Sequence, residues 1–231
     1  MGAEQASIMV DGDIPVAVKR SGRARRMTLR VVRAGGGVVL TLPERVPLAE
    51  GRAFAQSRAE WLRRMRESLP EVAVVRHGAL LPVAGLAVTV TPSQGRLVRL
   101  DGLRLLVPEG RPAGVVVAAW LKQRARTELA AACDCYASRL GRPFAALSLR
   151  DTRSRWGSCT HDGRLMFSWR LAMAPPEVLD YVAAHEVAHL RHMDHSAAFW
   201  ACCERLKPGY APQRRWLREH GHELQAWDFT A

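Results

Sequence analysis

The feature that most constrains this chain is a pair of histidines, His185 and His189, with Glu186 directly after the first. On a helix, residues four apart lie on the same face, so both imidazoles can reach one metal ion and Glu186 can reach a water bound to it. Pro175-Pro176-Glu177 is a favourable helix start, and the residues after it are largely apolar. The segment therefore predicts the H-E-x-x-H helix of a zinc hydrolase.

A catalytic zinc ion usually takes three protein ligands and leaves a fourth position for water. His195 follows His189 at the spacing of the third histidine in the longer pattern H-E-x-x-H-x-x-G-x-x-H. The glycine of that pattern is replaced by His192, which would become the third ligand if the helix simply continued. We favour His195, because Asp194 and Ser196 are typical of a turn followed by a helix N-cap. The predicted ligands of one zinc ion per chain are His185, His189 and His195.

The chain has 231 residues, enough for one large or two small domains, and 48% of them are hydrophobic. The proline- and glycine-rich segment 108–114 is the best candidate linker. We therefore expect an α+β protein, with a smaller β-rich domain at residues 1–112 and a catalytic domain at residues 113–231.

Alternating apolar residues in the first domain predict a β-hairpin from Met27–Val31 and Val38–Leu42 around Gly35-Gly36-Gly37. A helix is predicted from Pro47 to Leu69. Four short strands should follow it, the last two joined by an Asp101-Gly102 turn: Val72–Val75, Leu86–Thr91, Leu97–Leu100 and Leu103–Val107.

The second domain is predicted to begin with a long helix from Val115 to Leu140, ended by Gly141. A strand at Ala146–Arg150 and a second at Leu165–Leu171 should precede the metal helix. Two further helices are expected after it, at Ala197–Leu206 and Gln213–His220.

In zinc peptidases an edge strand beside the metal helix often receives the substrate through backbone hydrogen bonds. The strand at Phe167–Leu171 leads directly into the metal helix and is the natural candidate. Tyr210 and Arg155 are candidates for stabilising an oxyanion. The predicted substrate-binding residues are thus Phe167, Ser168, Trp169, Arg155 and Tyr210.

The net charge of +12 raises the question of an anionic partner. Residues 14–43 hold no acid, and the arginines at 23, 25 and 26 could bind nucleic acid; a solvated strand face in an arginine-rich composition is the alternative. No run approaches the ~18 apolar residues of a membrane span, so we expect no membrane association. The N-terminus lacks signal-peptide features, and the five cysteines have no disulfide-framework spacing, which favours a cytoplasmic location.

Several motifs in one order resemble those of the YgjP-like zinc metallopeptidases, relatives of the SprT-like proteases, over about residues 148–217. They are Ser154-Arg155-Trp156-Gly157-Ser158-Cys159, Phe167-Ser168-Trp169-Arg170-Leu171, Ala174-Pro175, Asp180-Tyr181-Val182, His185 to Leu190, His195 to Trp200 and Pro208-Gly209-Tyr210. Ser168 stands where asparagine is expected. The resemblance implies a zincin-like catalytic domain, a protein or peptide substrate, His185, His189 and His195 as ligands, and Glu186 as the catalytic carboxylate.

Two other functions remain open at this stage. A metal-activated water can also attack phosphorus, in which case Arg153, Arg155 and Arg170 would act as phosphate clamps for a nucleotide or another phosphorylated substrate. The second alternative is a nucleic-acid-associated protease that is recruited through the basic hairpin.

Overall fold

The structure is a computed structural model that describes residues 6–31, 37–67 and 72–230. The chain folds into two compact units, Met1–Val72 and Ala73–Ala231. Strands, helices and a mixture of parallel and antiparallel pairing occur together, which confirms the predicted α+β class.

The first unit contains a four-stranded sheet with the order β1-β2-β4-β3. Its strands are β1 (Ser7–Val10), β2 (Ile14–Ser21), β3 (Thr28–Val31) and β4 (Val38–Pro43). β3 pairs antiparallel with β4, which confirms the predicted hairpin, whereas Gly35 and Gly36 of its turn lie outside the described residues. β1 and β2, which the sequence patterns did not reveal, form a second antiparallel pair.

Two helices follow this sheet, α1 (Leu48–Gln56) and α2 (Ala59–Glu67), where a single helix was predicted. The break falls at Ser57, whose hydroxyl donates a 2.8 Å hydrogen bond to the carbonyl of Phe54. Such a local bond offers the backbone an alternative to a continuing helix. Ala55 and Leu62, one from each helix, are fully buried with the apolar residues of β1, β2 and β4.

The second unit begins with β5 (Ala73–Val74) and a four-stranded sheet of order β6-β7-β9-β8. The sheet strands are β6 (Leu80–Val83), β7 (Leu86–Ser93), β8 (Arg99–Asp101) and β9 (Arg104–Pro108). β8 and β9 form the antiparallel hairpin predicted around Asp101-Gly102, and β6 is an additional strand.

The boundary between the compact units lies at residue 72, so it does not coincide with the one expected at residue 112. The apolar residues of β6, β7 and β9 share one core with the long helix α3 (Ala113–Leu140). The β6–β7 turn also donates two backbone hydrogen bonds, from Ala84 to the carbonyl of Ala172 and from Gly85 to that of Met173. A sheet with one apolar face must bury that face, and α3 covers it, so segment 108–114 is a tight connection and not a linker.

Helix α3 ends at Gly141 with φ of 69°, as predicted. A three-stranded sheet of order β10-β12-β11 follows, made of β10 (Ala146–Arg150), β11 (Gly157–Cys159) and β12 (Arg164–Ser168). The strand predicted to reach Leu171 ends at Ser168, because Trp169–Met173 forms a 3-10 helix.

Three helices complete the second unit: α4 (Pro176–Ala188), α5 (Ala197–Leu206) and α6 (Ala211–Gln225). A final strand, β13 (Trp227–Asp228), pairs in parallel with β5 and so closes the C-terminal end of the unit onto its beginning. All five cysteines are free. Within the described ranges, no helix has the length and hydropathy needed to cross a membrane.

A substitution at Gly85 tests how the β6–β7 turn supports the start of helix α4. Its φ is +77°, and an added Cβ would lie 3.0 Å from the Cα of Pro175, just before α4. Gly102 has φ of +57° with nothing within 4 Å, so Gly102→Ala is a matched control for backbone strain alone. A left-handed conformation costs a non-glycine residue about 1–2 kcal/mol. We expect urea denaturation to give Gly85→Ala a further loss of about 1–3 kcal/mol relative to Gly102→Ala, from overpacking against the backbone. Equal losses would contradict a rigid contact.

Candidate metal centre

The three predicted histidine ligands converge at one point in the second unit. The ligand atoms of His185, His189 and His195 all lie within 4.8 Å of one another. The Nε2 atoms of His185 and His195 are 3.1 Å apart. His185 lies on α4, His189 follows directly at the C-terminal end of that helix, and His195 comes from the connection between α4 and α5. This arrangement brings together the three residues that the sequence selected.

The turn after α4 explains why His195 joins the cluster and His192 does not. The helix ends at Ala188, and the backbone amide of His192 donates to the carbonyl of Ala188. Ser196 then caps α5, since its hydroxyl accepts a hydrogen bond from the Phe199 amide, as the sequence predicted. His192 contributes its carbonyl, which accepts a 2.9 Å hydrogen bond from Nδ1 of His189. That bond fixes the tautomer of His189 with a free lone pair on Nε2.

Aromatic rings from α5 hold the imidazoles in place. The fully buried ring of Phe199 lies 4.9 Å from His185, 4.4 Å from His189 and 4.8 Å from His195, between ring centroids. Trp200 lies 5.7 Å from His185 and 5.6 Å from His195. Each imidazole therefore has an apolar wall behind it, which restricts the rotation of the rings.

The electrostatic environment favours the neutral form of His185 and His189. Burial, together with the neighbouring histidines and Arg214, lowers the pKa of His185 to about 3. Burial also lowers the pKa of His189. A neutral imidazole is the form that binds a metal, and three nitrogen donors with room for a fourth ligand suit zinc. The residues present thus fit a catalytic zinc ion, although Nδ1 of His185 has no hydrogen-bond partner within the described part of the chain.

Glu186 is buried beside the cluster, with 5% of its surface exposed. Among the described residues its carboxylate makes no hydrogen bond and no ion pair. Burial raises the pKa of Glu186 to about 8, and the charge of Arg155 partly opposes that rise. A carboxyl group whose pKa lies near neutrality can both accept and return a proton at physiological pH.

Gly157 on β11 makes room for this carboxylate. A Cβ added at Gly157 would lie 2.5 Å from Oε1 of Glu186, closer than real atoms approach. The sequence gave only a weak signal for this role. Gly157 belongs to the motif around Trp156, but the motif does not indicate which side chain needs the space beside the glycine.

The predicted substrate strand is wrong in its placement. β12 is the central strand of its sheet, paired with β10 on one side and β11 on the other, so it has no free edge for a substrate. Phe167, Ser168 and Trp169 are all buried, with 0%, 0% and 3% exposure. The edge strand next to Glu186 is β11 instead. A short three-residue strand is difficult to recognise from sequence, whereas the apolar run at 165–171 is conspicuous because it is core.

The remaining candidates occupy different environments. Arg155 is exposed and lies close enough to Glu186 to act on its charge. The ring of Tyr210 stacks on Tyr181, with centroids 5.6 Å apart, and on Trp200, with centroids 5.5 Å apart. Since Trp200 also contacts two of the histidines, Tyr210 stands at the margin of the site.

Arg170 belongs to the protein core and not to the site. It is 7% exposed and forms a two-pronged contact with Asp151, at 2.7 and 3.1 Å. Its remaining nitrogen donates to the carbonyls of Leu224 and Trp227. All of its donor groups therefore act within the fold, which excludes Arg170 as a phosphate clamp.

Arg214 on α6 is a residue that the sequence interpretation missed. Its guanidinium carbon lies 4.2 Å from the centroid of the Trp200 ring, and its charge acts on His185. The sequence shows that α6 is basic, but it does not show which face of the helix packs towards the histidines. The position of Arg214 could therefore not be predicted.

A buried H-E-x-x-H helix, completed by a third histidine and flanked by a short edge strand, defines a metallopeptidase. The sequence profile described as YgjP-like, metallopeptidase domain, matches residues 25–220. This match spans most of the chain, so the protein belongs to the YgjP-like metallopeptidase family, as its motifs indicated.

Comparisons beyond the family profile add little. No curated protein matches the sequence significantly. The crystal structure of the metallopeptidase zymogen of Pyrococcus abyssi abylysin is similar at 21% identity and a TM-score of 0.37, over 42% of this chain and 95% of that chain. A TM-score of this size does not establish a common fold.

Gly157→Ala tests whether the space beside Glu186 matters for activity. The added methyl group has to displace the carboxylate, so we expect peptidase activity to fall at least about 10-fold, since small displacements of a catalytic group are costly. Metal content should stay unchanged, because the three histidines are not touched. Ser158→Ala on the same strand is the control, as successive residues of a strand point to opposite faces. Full activity in Gly157→Ala would contradict the proposed position of Glu186.

Proposed function

We propose that this chain is a zinc-dependent peptidase in which Glu186 is the catalytic acid and base. The observation that carries the proposal is a buried carboxylate that has no hydrogen-bonding partner among the described residues and follows directly on one of three converging imidazoles. Burying an ionisable group without a partner costs free energy, so a purely structural role would not favour it. At a reaction centre, the same environment raises the pKa into the useful range.

The histidines would hold one zinc ion through nitrogen atoms, leaving one position for water or substrate. Bound zinc lowers the pKa of water towards neutrality and polarises a scissile carbonyl. Glu186 would accept the proton of the attacking water on a carboxylate oxygen and then deliver it to the leaving amine. The space left by Gly157 keeps the carboxylate in the position for both transfers.

The substrate would bind in an extended conformation along the free edge of β11. Backbone groups of an edge strand are unpaired and can hydrogen-bond an added strand. Arg155 precedes β11 and is exposed, so its guanidinium is available to a substrate carbonyl or carboxylate. Tyr210 remains the second candidate for stabilising the oxyanion, since its ring borders the site through Trp200.

Hydrolysis of a phosphorylated substrate is less well supported. Phosphate clamps need free arginines close to the metal, and Arg170 is occupied by Asp151 and two carbonyls. Arg153 and Arg155 are exposed, and Arg214 lies over the Trp200 ring at the margin of the site, so geometry excludes only Arg170. The family membership favours an amide substrate.

Metal analysis tests the ligand set. We expect about one zinc ion per chain in the purified protein, and its loss in His195→Ala, because removal of one of three ligands leaves an incomplete site. His192→Ala should keep the metal, since only the carbonyl of residue 192 contacts His189. Metal lost from His192→Ala but retained by His195→Ala would contradict the assignment.

Glu186→Gln tests the catalytic role. The variant should bind zinc normally and lose at least about 100-fold of its rate on an unfolded protein substrate, the lower range of a general acid–base contribution. Asp194→Asn, an exposed carboxylate close to the ligands, is the matched control and should retain activity. Nucleoside triphosphates assayed in parallel separate the two chemistries. Phosphate or pyrophosphate release without cleavage of the protein would overturn the peptidase proposal.

A further inference from the structure

We propose that the first unit binds single-stranded nucleic acid in a groove between β3 and the two helices, with a base stacked on Trp61 and the backbone held by Arg26 and Arg58. The groove encloses about 350 Å³. Its lining, here called the Trp61 groove, consists of Arg26, Met27, Thr28, Leu29, Phe54, Arg58 and Trp61. The inference is independent of the peptidase site, which lies in the second unit.

The floor of the Trp61 groove is apolar and partly open. Trp61 is 38% exposed, although its neighbour Leu62 is fully buried against the sheet. Phe54, Met27 and Leu29 are half-buried beside the core of this unit. An indole ring left at a groove opening is a platform for a planar partner, and each stacked base contributes about 1–3 kcal/mol.

The rim of the groove carries cations without partners. Within the described residues, the guanidinium groups of Arg26 and Arg58 make no hydrogen bond and no ion pair. Two other arginines of the unit are engaged, by contrast: Arg20 donates to the carbonyls of Glu44 and Val46, and Arg63 pairs with Asp11.

None of the described residues that line the groove is acidic, so the charged groups of the lining are both cations. The exposed arginines at positions 23, 25 and 30 extend this charge along the chain that forms β3. Neutralising phosphates releases counterions, which supplies the sequence-independent part of nucleic-acid affinity. Of the three arginines predicted to bind nucleic acid, Arg26 lines the groove together with the aromatic ring of Trp61, and Arg23 and Arg25 precede it in the chain.

The aromatic ring selects the kind of nucleic acid. A base can stack on Trp61 only if its face is free, and in a duplex both faces are covered by neighbouring bases. Phosphate contacts alone would bind duplex and single strands alike. An acidic peptide would satisfy the arginines but would have no planar group for the indole ring. Single-stranded nucleic acid is the class that uses both features of the groove.

The test is fluorescence anisotropy with a labelled thymidine 20-mer, titrated with the full-length protein at several salt concentrations. We expect Trp61→Leu to weaken binding about 5- to 150-fold without changing the salt dependence, because it removes stacking and no charge. Trp61→Phe should recover part of the affinity. The double variant Arg26→Gln/Arg58→Gln should reduce the slope of log K against log salt by about 1.4, since each phosphate contact on a single strand contributes about 0.7.

Arg52→Gln is the control for charge, because Arg52 is exposed in the same unit but does not line the groove. Arg52→Gln should reduce the affinity and the salt slope by less than half of the reduction seen in the double variant Arg26→Gln/Arg58→Gln. Melting temperatures of all variants exclude unfolding as the cause of lost binding. The proposal is overturned if Trp61→Leu binds as well as the unchanged protein, if a 20-base-pair duplex binds equally tightly, or if polyglutamate competes as well as the oligonucleotide. Absence of binding at 50 mM salt would overturn it too, and none of these results bears on peptide cleavage.

Discussion

The burial of α4 is the constraint on which the site depends. The helix carries His185, Glu186 and His189 into the interior of the second unit, where water is scarce and charged forms are disfavoured. The same physical cause, burial, thus acts on both parts of the candidate site: it favours the neutral imidazoles of His185 and His189, and it raises the pKa of the Glu186 carboxyl group.

Elements on every side of α4 keep these groups in position. Phe199 packs against all three imidazoles, and the His192 carbonyl orients His189. On the other side, Gly157 admits the carboxylate of Glu186 where any side chain would collide with it. The β6–β7 turn supports the start of the helix through Gly85 and Pro175. The sheet of residues 80–108 therefore belongs to the same compact unit as the candidate site.

Local patterns predicted those parts of the fold whose stability is itself local. The long helix ends at Leu140 because Gly141, which follows it, is left-handed, and the hairpin around Gly102 depends on a turn that favours glycine. Patterns failed where distant contacts decide the outcome. The apolar run at 165–171 predicted a strand for its whole length, but only its first part pairs with neighbours and the rest becomes a 3-10 helix. Similarly, a proline- and glycine-rich segment cannot reveal that the strands before it pack on the helix after it.

The sequence by itself determined the helix that carries the H-E-x-x-H motif, the three histidines that cluster at its end and the family, because an i,i+4 histidine pair and a turn before a helix cap are properties of short segments. Tertiary structure decided what surrounds them. Only the pairing of β10, β12 and β11 makes the short strand at Gly157 the free edge and buries Phe167, Ser168 and Trp169. Only packing directs Arg170 to Asp151 and Arg214 to Trp200. The physical reason is that a side chain's environment depends on residues distant in the chain, whereas its helical phase depends on its immediate neighbours.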